Sequence, residues 1–397
     1  VIARRTVLFL GISQLVCWGI SFYLIGVFGD LIVADLGWSR TLVYGGFSAA
    51  LLIMGLVSPL VGRLIDRVGG GRVMAAGSVF CAVGCAGLAL AQTVVAYYAA
   101  WICLGLAMRS TLYDAAFAAL ARIGGPEARR PIAQVTLLGG LASTVFWPIG
   151  HVLAEAFGWR GALFVYVGFA LLTVPLHLAI PTGRHQDNVQ PVEGPRPPSL
   201  ASRRQDRVVA AFLYALIVTL INGLNAGMSA HMIGVLTELG LAASLAVSIS
   251  SLRGIGQSSA RLAEILFGGR LHPIDLNLAA TVVLPICFTV GLASGGYVAA
   301  AVVFAFFYGA GNGILSITRG TLPLVLFDLH TYGSFVGKLL VPSFLLSAVS
   351  PLAFAAVIEH FGAQGALYLS IALSSVILAA GLALRASAKP GSDGPRS

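Results

Sequence analysis

Apolar stretches long enough to cross a membrane follow one another along almost the whole chain, and this fixes the medium in which it can fold. A helix needs roughly 20 apolar residues to cross a hydrocarbon core of about 30 Å, and backbone in lipid must satisfy its own hydrogen bonds. Twelve such stretches are predicted, approximately at 6–33, 41–62, 72–92, 94–121, 132–156, 160–180, 208–237, 241–268, 273–294, 297–326, 332–358 and 363–385. Hydrophobic residues make up 58% of the chain and charged ones 10%, where a soluble domain carries about 25% charged residues. A water-soluble globule and a disordered chain are both excluded. The first apolar run is too long for a cleavable signal and reads as a span.

The longest polar interruption, Pro181 to Arg207, holds five prolines and several arginines and reads as a solvated linker. It separates two halves that repeat each other. The run Glu155-Ala-Phe-Gly158-Trp-Arg-Gly161-Ala-Leu returns 204 residues later as Glu359-His-Phe-Gly362-Ala-Gln-Gly365-Ala-Leu, and Gly62-Arg63-Leu64 returns as Gly269-Arg270-Leu271. The expected fold is therefore all-α, with twelve transmembrane helices in two pseudo-symmetric six-helix bundles, a known transporter plan. The predicted boundaries are 1–180 for the N-terminal bundle, 181–207 for a cytoplasmic linker, 208–386 for the C-terminal bundle and 387–397 for a cytoplasmic tail.

With both termini inside, seventeen Arg and Lys fall in cytoplasmic segments and only Arg40 and Arg160 outside. This positive-inside bias predicts a multi-pass protein of a bacterial-type inner membrane. It also accounts for the net charge of +9, so the basic balance gives no reason to expect a nucleic-acid partner. Cys17, Cys81, Cys85, Cys103 and Cys287 all fall in apolar segments without metal-ligand spacing, and read as packing residues. No metal, cofactor or enzyme motif is expected.

Between the second and third spans stands Gly62-Arg63-Leu64-Ile65-Asp66-Arg67-Val68-Gly69-Gly70-Gly71-Arg72, which resembles the signature loop of the major facilitator superfamily. The resemblance implies a conformational gate of Gly62, Asp66, Arg67, Gly69 and Arg72, bracing the cytoplasmic ends in the outward-facing state. The alternative is a plain positively charged turn. A finer resemblance, carried by Gly26-Val27-Phe28 and Leu36-Gly37-Trp38-Ser39-Arg40, is to the monocarboxylate and oxalate transporter branch. It places Arg261 where that branch has its substrate-binding arginine. Gln257 stands where animal members have an acidic residue, and Tyr23 is nearest to their first-span lysine.

A lone charge at the bilayer centre costs about 2.5–3.5 kcal/mol, so charged residues within spans should face a cavity. These are Arg109 and Asp114 on the fourth span, Arg253, Arg261 and Glu264 on the eighth, Arg319 on the tenth and Lys338 on the eleventh. Five cations meet two carboxylates, and an anionic substrate is the simplest counter-ion. Arg253 and Arg261 lie within about 80° on the helix and about 12 Å apart along it, with Gln257 between them. Arg261, then Arg253, are the expected substrate ligands. Arg261 has an alternative structural partner in Glu264, three residues on, and Arg253 one on another span. Arg109 and Asp114 lie about 140° apart and are not expected to pair. Asp114, then Glu264, are the expected proton-coupling residues, each with a permanent ion pair as the alternative.

Arg109, either a substrate or a bracing residue, joins Gln257, Tyr23, Tyr113, Trp147, Tyr308 and Asn312 as the remaining substrate-binding candidates, each polar aromatic or amide being otherwise helix-helix glue. Asn222 and Asn225 suggest a local unwinding of the seventh span, and Gly309, Gly311 and Gly313 a bend in the tenth. His151 and His231 read as packing residues, and Lys338 and Arg319 as able to reach the cytoplasmic surface. The leading expectation is alternating-access, proton-coupled uptake of a small organic anion such as a monocarboxylate, by a monomer in the lipid bilayer. Proton-driven efflux of drugs or metabolites is the second. A non-transporting receptor or scaffold, the third reading, would need a soluble signalling domain or a long ordered loop, and neither is expected from the sequence.

Overall fold

The computed structural model describes residues 2–124, 128–183, 204–267, 272–326, 339 and 341–387. Every regular element among them is helical. In chain order they are α1 (Arg4–Cys17), a π-turn (Trp18–Phe22), α2 (Leu24–Leu36), α3 (Arg40–Leu56), α4 (Ser58–Val68), α5 (Gly70–Leu90), α6 (Val94–Thr111), α7 (Tyr113–Gly124), α8 (Arg129–Gly140) and α9 (Ala142–Leu178). Then follow α10 (Arg204–Glu238), α11 (Ala243–Phe267), α12 (Pro273–Gly291), α13 (Val298–Leu326) and α14 (Val341–Ser387). Among the described residues eight helical stretches are long and apolar enough to cross a membrane, or nine when α3 and α4, bent by 52°, count as one.

Two of the long helices are double. α9 breaks at Gly158 (φ 68, ψ 165) and α14 at Gly362 (φ 68, ψ −174), the equivalent glycines of the sequence repeat. Only glycine adopts this backbone without strain, and the next glycine of each motif lets the chain fold back over a phenyl ring. A Cβ on Gly161 would lie 2.6 Å from Phe157 Cβ, and one on Gly365 2.5 Å from Phe361 Cβ. The repeat extends further than the sequence motif. Gly37 (φ 65) and Gly240 (φ 111) end α2 and α10, and Asp35 and Glu238 precede each by two residues. Asp35 accepts from Trp159 Nε1 at 3.2 Å, while Glu238 accepts from Ala363 N at 3.0 Å, so each carboxylate ties down the break of its own half.

Helices of residues 4–178 pack largely on one another, and so do those of 204–387. Contacts between the two groups run mainly through α3 with α14, α8 and α9 with α11, and α2 with α10. Small and hydroxyl residues bring α11 close to α8 and α9: Thr144 Oγ1 of α9 donates to Ser251 O at 2.7 Å, and Ser258 Oγ to Leu137 O of α8 at 3.1 Å. Cys17, Cys81, Cys85 and Cys287 are buried free thiols and Cys103 is half-buried, as expected of packing residues.

Three expectations need correction. α10 runs as one helix through Asn222 and Asn225, with no unwinding. α13 likewise runs unbroken through Gly309, Gly311 and Gly313. Its glycines serve close packing instead: a Cβ on Gly309 would lie 2.0 Å from Arg253 O and one on Gly313 2.6 Å from Gln257 O. Third, the segment read as a turn at 62–68 is helical, because Pro59 starts α4 without needing a backbone N–H and Val61 and Ile65 give it one buried face. The loop is only Gly69 (φ 91). The repeat copy at 269–271, Lys338 and most of the linker lie outside the described residues.

Candidate functional site

α11 carries a polar stripe into an apolar core. Arg253 is 0%, Gln257 7% and Arg261 5% exposed, so all three must find partners inside the protein. Arg253 Nη1 donates to Ser229 Oγ at 2.8 Å and Nη2 to Asn225 Oδ1. The guanidinium also lies over two rings, 5.1 Å from the centroid of Tyr308 and 5.6 Å from that of Tyr23. Asn312 Nδ2 donates to the same Asn225 Oδ1 at 2.9 Å, which joins α10, α11 and α13. Eight residues on, Arg261 Nη1 donates to Thr136 O at 2.6 Å and Nη2 to Ser316 Oγ at 2.9 Å.

Every one of these acceptors is neutral. Among the described residues neither Arg253 nor Arg261 makes an ion pair, and the anticipated alternative of an Arg261–Glu264 pair does not form. Glu264 is half-buried one turn beyond Arg261, whose guanidinium instead reaches across to α8 and α13. Three buried polar atoms here, Arg253 Nε, Gln257 Oε1 and Tyr308 OH, have no hydrogen-bond partner among the described residues. Each keeps a donor or acceptor available to a further group.

Aromatic rings continue from Arg253 toward Arg261. Tyr23 follows the π-turn, a distortion that often accompanies functional sites. Its carbonyl accepts from Trp147 Nε1 at 3.3 Å, and its ring meets Trp147 edge-on at 5.6 Å. Trp18 bridges Tyr23 at 6.1 Å and Tyr113 at 4.9 Å. Tyr113 OH donates to Thr136 O at 3.2 Å, so Tyr113 and Arg261 share one carbonyl. The substrate-binding candidates Arg253, Gln257, Arg261, Tyr23, Tyr113, Trp147, Tyr308 and Asn312 thus fall into one connected group. The sequence reading missed Trp18, Ser229, Ser316 and the part played by Asn225.

Arg109 stands apart from that group, and the expectation that it does not pair with Asp114 is overturned. Their side chains meet at 2.5 Å, with Arg109 14% and Asp114 49% exposed. The helix-angle argument assumed a continuous helix. Leu112 (φ −79, ψ −172) breaks it between α6 and α7 and turns Asp114 back toward Arg109.

A family model described as Major Facilitator Superfamily matches residues 10–339. The chain belongs to the major facilitator superfamily. Members of the superfamily are transporters, not enzymes, and this facilitator is in general terms a multi-pass membrane protein and secondary transporter. No curated protein gives a significant match to the chain.

Among the described residues of this facilitator, the signature segment packs mainly on residues 1–183. A Cβ on Gly70 would lie 2.2 Å from Ala119 Cβ, Gly69 sits against Thr182, and Gly62 has open space around it. Asp66, Arg67 and Arg72 are exposed, and Asp66 makes no ion pair among the described residues. Arg122 donates instead to its backbone carbonyl. α4 makes its main contacts with α5 and α7.

The opposite end, marked by Gly37, Gly158, Gly240 and Gly362, holds charged contacts between residues 1–180 and 208–386. Arg40 lies 3.3 Å from Asp30 and 3.7 Å from Glu238, while Thr41 donates to Glu359 through its N–H at 2.9 Å and its hydroxyl at 2.6 Å. Beneath them His231 stacks on Tyr44 at 4.0 Å and hydrogen-bonds Pro351 O at 2.8 Å, a packing role as expected. His151 faces Glu155 one turn away at 3.4 Å. Arg319 is half-buried, and its carbonyl accepts from Tyr214.

Proposed function

We propose that this facilitator takes up a small organic anion, such as a monocarboxylate, together with protons, by alternating access. The observation that carries the reading is the pair of buried guanidiniums, Arg253 and Arg261, whose acceptors among the described residues are all neutral. A buried cation without a carboxylate favours any anion that reaches it, and arginine's planar fork suits a carboxylate in two parallel bonds. The proposed architecture is twelve crossings in two groups of six. It is supported by the breaks at Gly158 and Gly362 and by α11, whose polar stripe lowers its mean apolarity. The arginine distribution supports cytoplasmic termini in an inner membrane, with the Gly158 end outside.

In this reading the Arg40 and Thr41 contacts close the outer end, and the signature segment, whose main contacts among the described residues are with α5 and α7, leaves the inner end free to open. The Arg109–Asp114 pair is the proposed coupling element, with Glu264 second. Protonation of the half-exposed Asp114 would release Arg109 and alter the junction of α6 and α7. The chain is proposed to act as a monomer, without cofactor, metal or nucleic acid.

The test is uptake of labelled carboxylates into proteoliposomes, with and without an imposed inward proton gradient, repeated with Arg253→Gln and Arg261→Ala. Saturable uptake that the gradient stimulates and the variants abolish is expected; uptake unchanged in both variants would remove the arginines from the mechanism. The ring cluster of Trp18, Tyr23, Tyr113 and Phe117 is the observation that favours efflux of apolar compounds instead. Proton-driven export of lipophilic cations, with no carboxylate uptake, would establish that second reading.

A further inference from the structure

We infer that Asn225 is the positioning residue of the anion site: it aims the Arg253 guanidinium while leaving its charge unneutralised. The inference rests on the anion reading above and deepens it, because it states what keeps the arginine available to cargo.

Asn225 and Ser229 stand one turn apart on α10, and each takes one terminal nitrogen of Arg253. Two of the five guanidinium donors are thereby fixed in direction, while Nε has no partner. Ser229 is itself set in place by donating to Asn225 O at 2.5 Å. The Asn225 side-chain oxygen also accepts from Asn312 Nδ2, so one amide oxygen holds α11 and α13 together. A carboxylate at this position would bond arginine more strongly than an amide does, and would make the better structural clamp. It would also be a permanent counter-ion to a buried guanidinium. The amide supplies geometry without charge. Tyr23 and Tyr308 bound the same guanidinium with ring faces, and Gln257, one turn away, presents another neutral amide, 7% exposed, whose oxygen has no partner.

The test uses the purified full chain with acetate and pyruvate as probes, measuring affinity by calorimetry, melting temperature, and KM and kcat of uptake. Asn225→Asp is nearly isosteric. It is expected to weaken carboxylate binding at least about 100-fold while melting no lower than wild type, since the new ion pair holds the fold and repels the probe. Asn225→Ser, neutral but too short to hold the guanidinium, is expected to raise KM about 10-fold with kcat unchanged. Carboxylate affinity that survives Asn225→Asp would overturn this inference alone, and so would an unchanged KM in Asn225→Ser. The serine variant decides the matter if the aspartate variant does not fold. Failure of the wild-type chain to bind either probe, or any other small carboxylate, would overturn the anion reading and this inference with it.

Discussion

Replacing Gly309 by alanine adds one methyl group where α13 crosses α11. The new Cβ would lie 2.0 Å from Arg253 O, 2.7 Å from its carbonyl carbon and 2.8 Å from its Cα. These are backbone atoms, so no rotamer change relieves the clash, and the two helices must part by about 1.4 Å to restore ordinary contact. Parting them also undoes the equally close approaches of Gly256 to Phe306 O and of Gly313 to Gln257 O. Overpacking of this kind costs about 1–3 kcal/mol, against which alanine's helix preference over glycine returns about 1 kcal/mol. Gly311 is the internal control. A Cβ there would press only on Leu284 Cδ2 at 3.2 Å, a side-chain end that can turn away, and would meet Ala280 O at an ordinary 3.6 Å, so Gly311→Ala should be neutral or stabilising by up to about 1 kcal/mol. Unfolding midpoints of the two variants in the same detergent should therefore separate, with Gly309→Ala below wild type and Gly311→Ala at or above it. Carboxylate affinity should fall only in Gly309→Ala, whose clash displaces the backbone of Arg253 itself. Equal midpoints for the two variants would refute the close α11–α13 crossing on which the placement of Arg253 depends.

Alanine at Gly158 or Gly362 should cost about 1–3 kcal/mol, because both residues hold a positive φ in an extended region open essentially to glycine. Similar drops in unfolding midpoint are expected, and no change in either would contradict the shared break. Removing the contacts of the Gly158 end with Arg40→Ala and Glu359→Ala together should shift spin labels at the exposed Phe157 and Phe361 positions toward longer separations. Partly exposed pairs are worth about 0–1 kcal/mol each, so a changed population is expected rather than full opening, and an unchanged distance distribution would remove these contacts from gating. Asp114→Asn should leave carboxylate binding intact but abolish stimulation of uptake by an inward proton gradient, and uptake that stays gradient-driven would assign coupling elsewhere.

The apolar runs and the α11 stripe were legible in the sequence because each rests on composition or on the regular 100° step of a helix, and α11 keeps that step from Arg253 to Arg261. The same arithmetic failed for Arg109 and Asp114, where a break at Leu112, which no proline or glycine announces, reorients the second residue. Asn225 and the α13 glycines were noticed but assigned to bending. Composition marks a residue as polar or small, whereas only the packing tells whether it loosens its own helix or meets a neighbour's backbone. The equivalence of Asp35-Leu36-Gly37 and Glu238-Leu239-Gly240 stood in the sequence but was passed over, because one carboxylate accepts from an indole and the other from a backbone N–H, so their partners Trp159 and Ala363 do not match. Arg40 and Thr41 were passed over as exterior residues. Their importance comes from Glu238 and Glu359, some 200 or more positions away in the chain.

The most direct test of the account is a calorimetric titration of the purified facilitator with small carboxylates and, separately, with small organic ammonium ions, each repeated on Arg253→Gln. Saturable binding of a carboxylate that disappears in the variant, with no binding of the cations, is the predicted result. Saturable binding of the cations alone, unaffected by loss of the guanidinium, would contradict it.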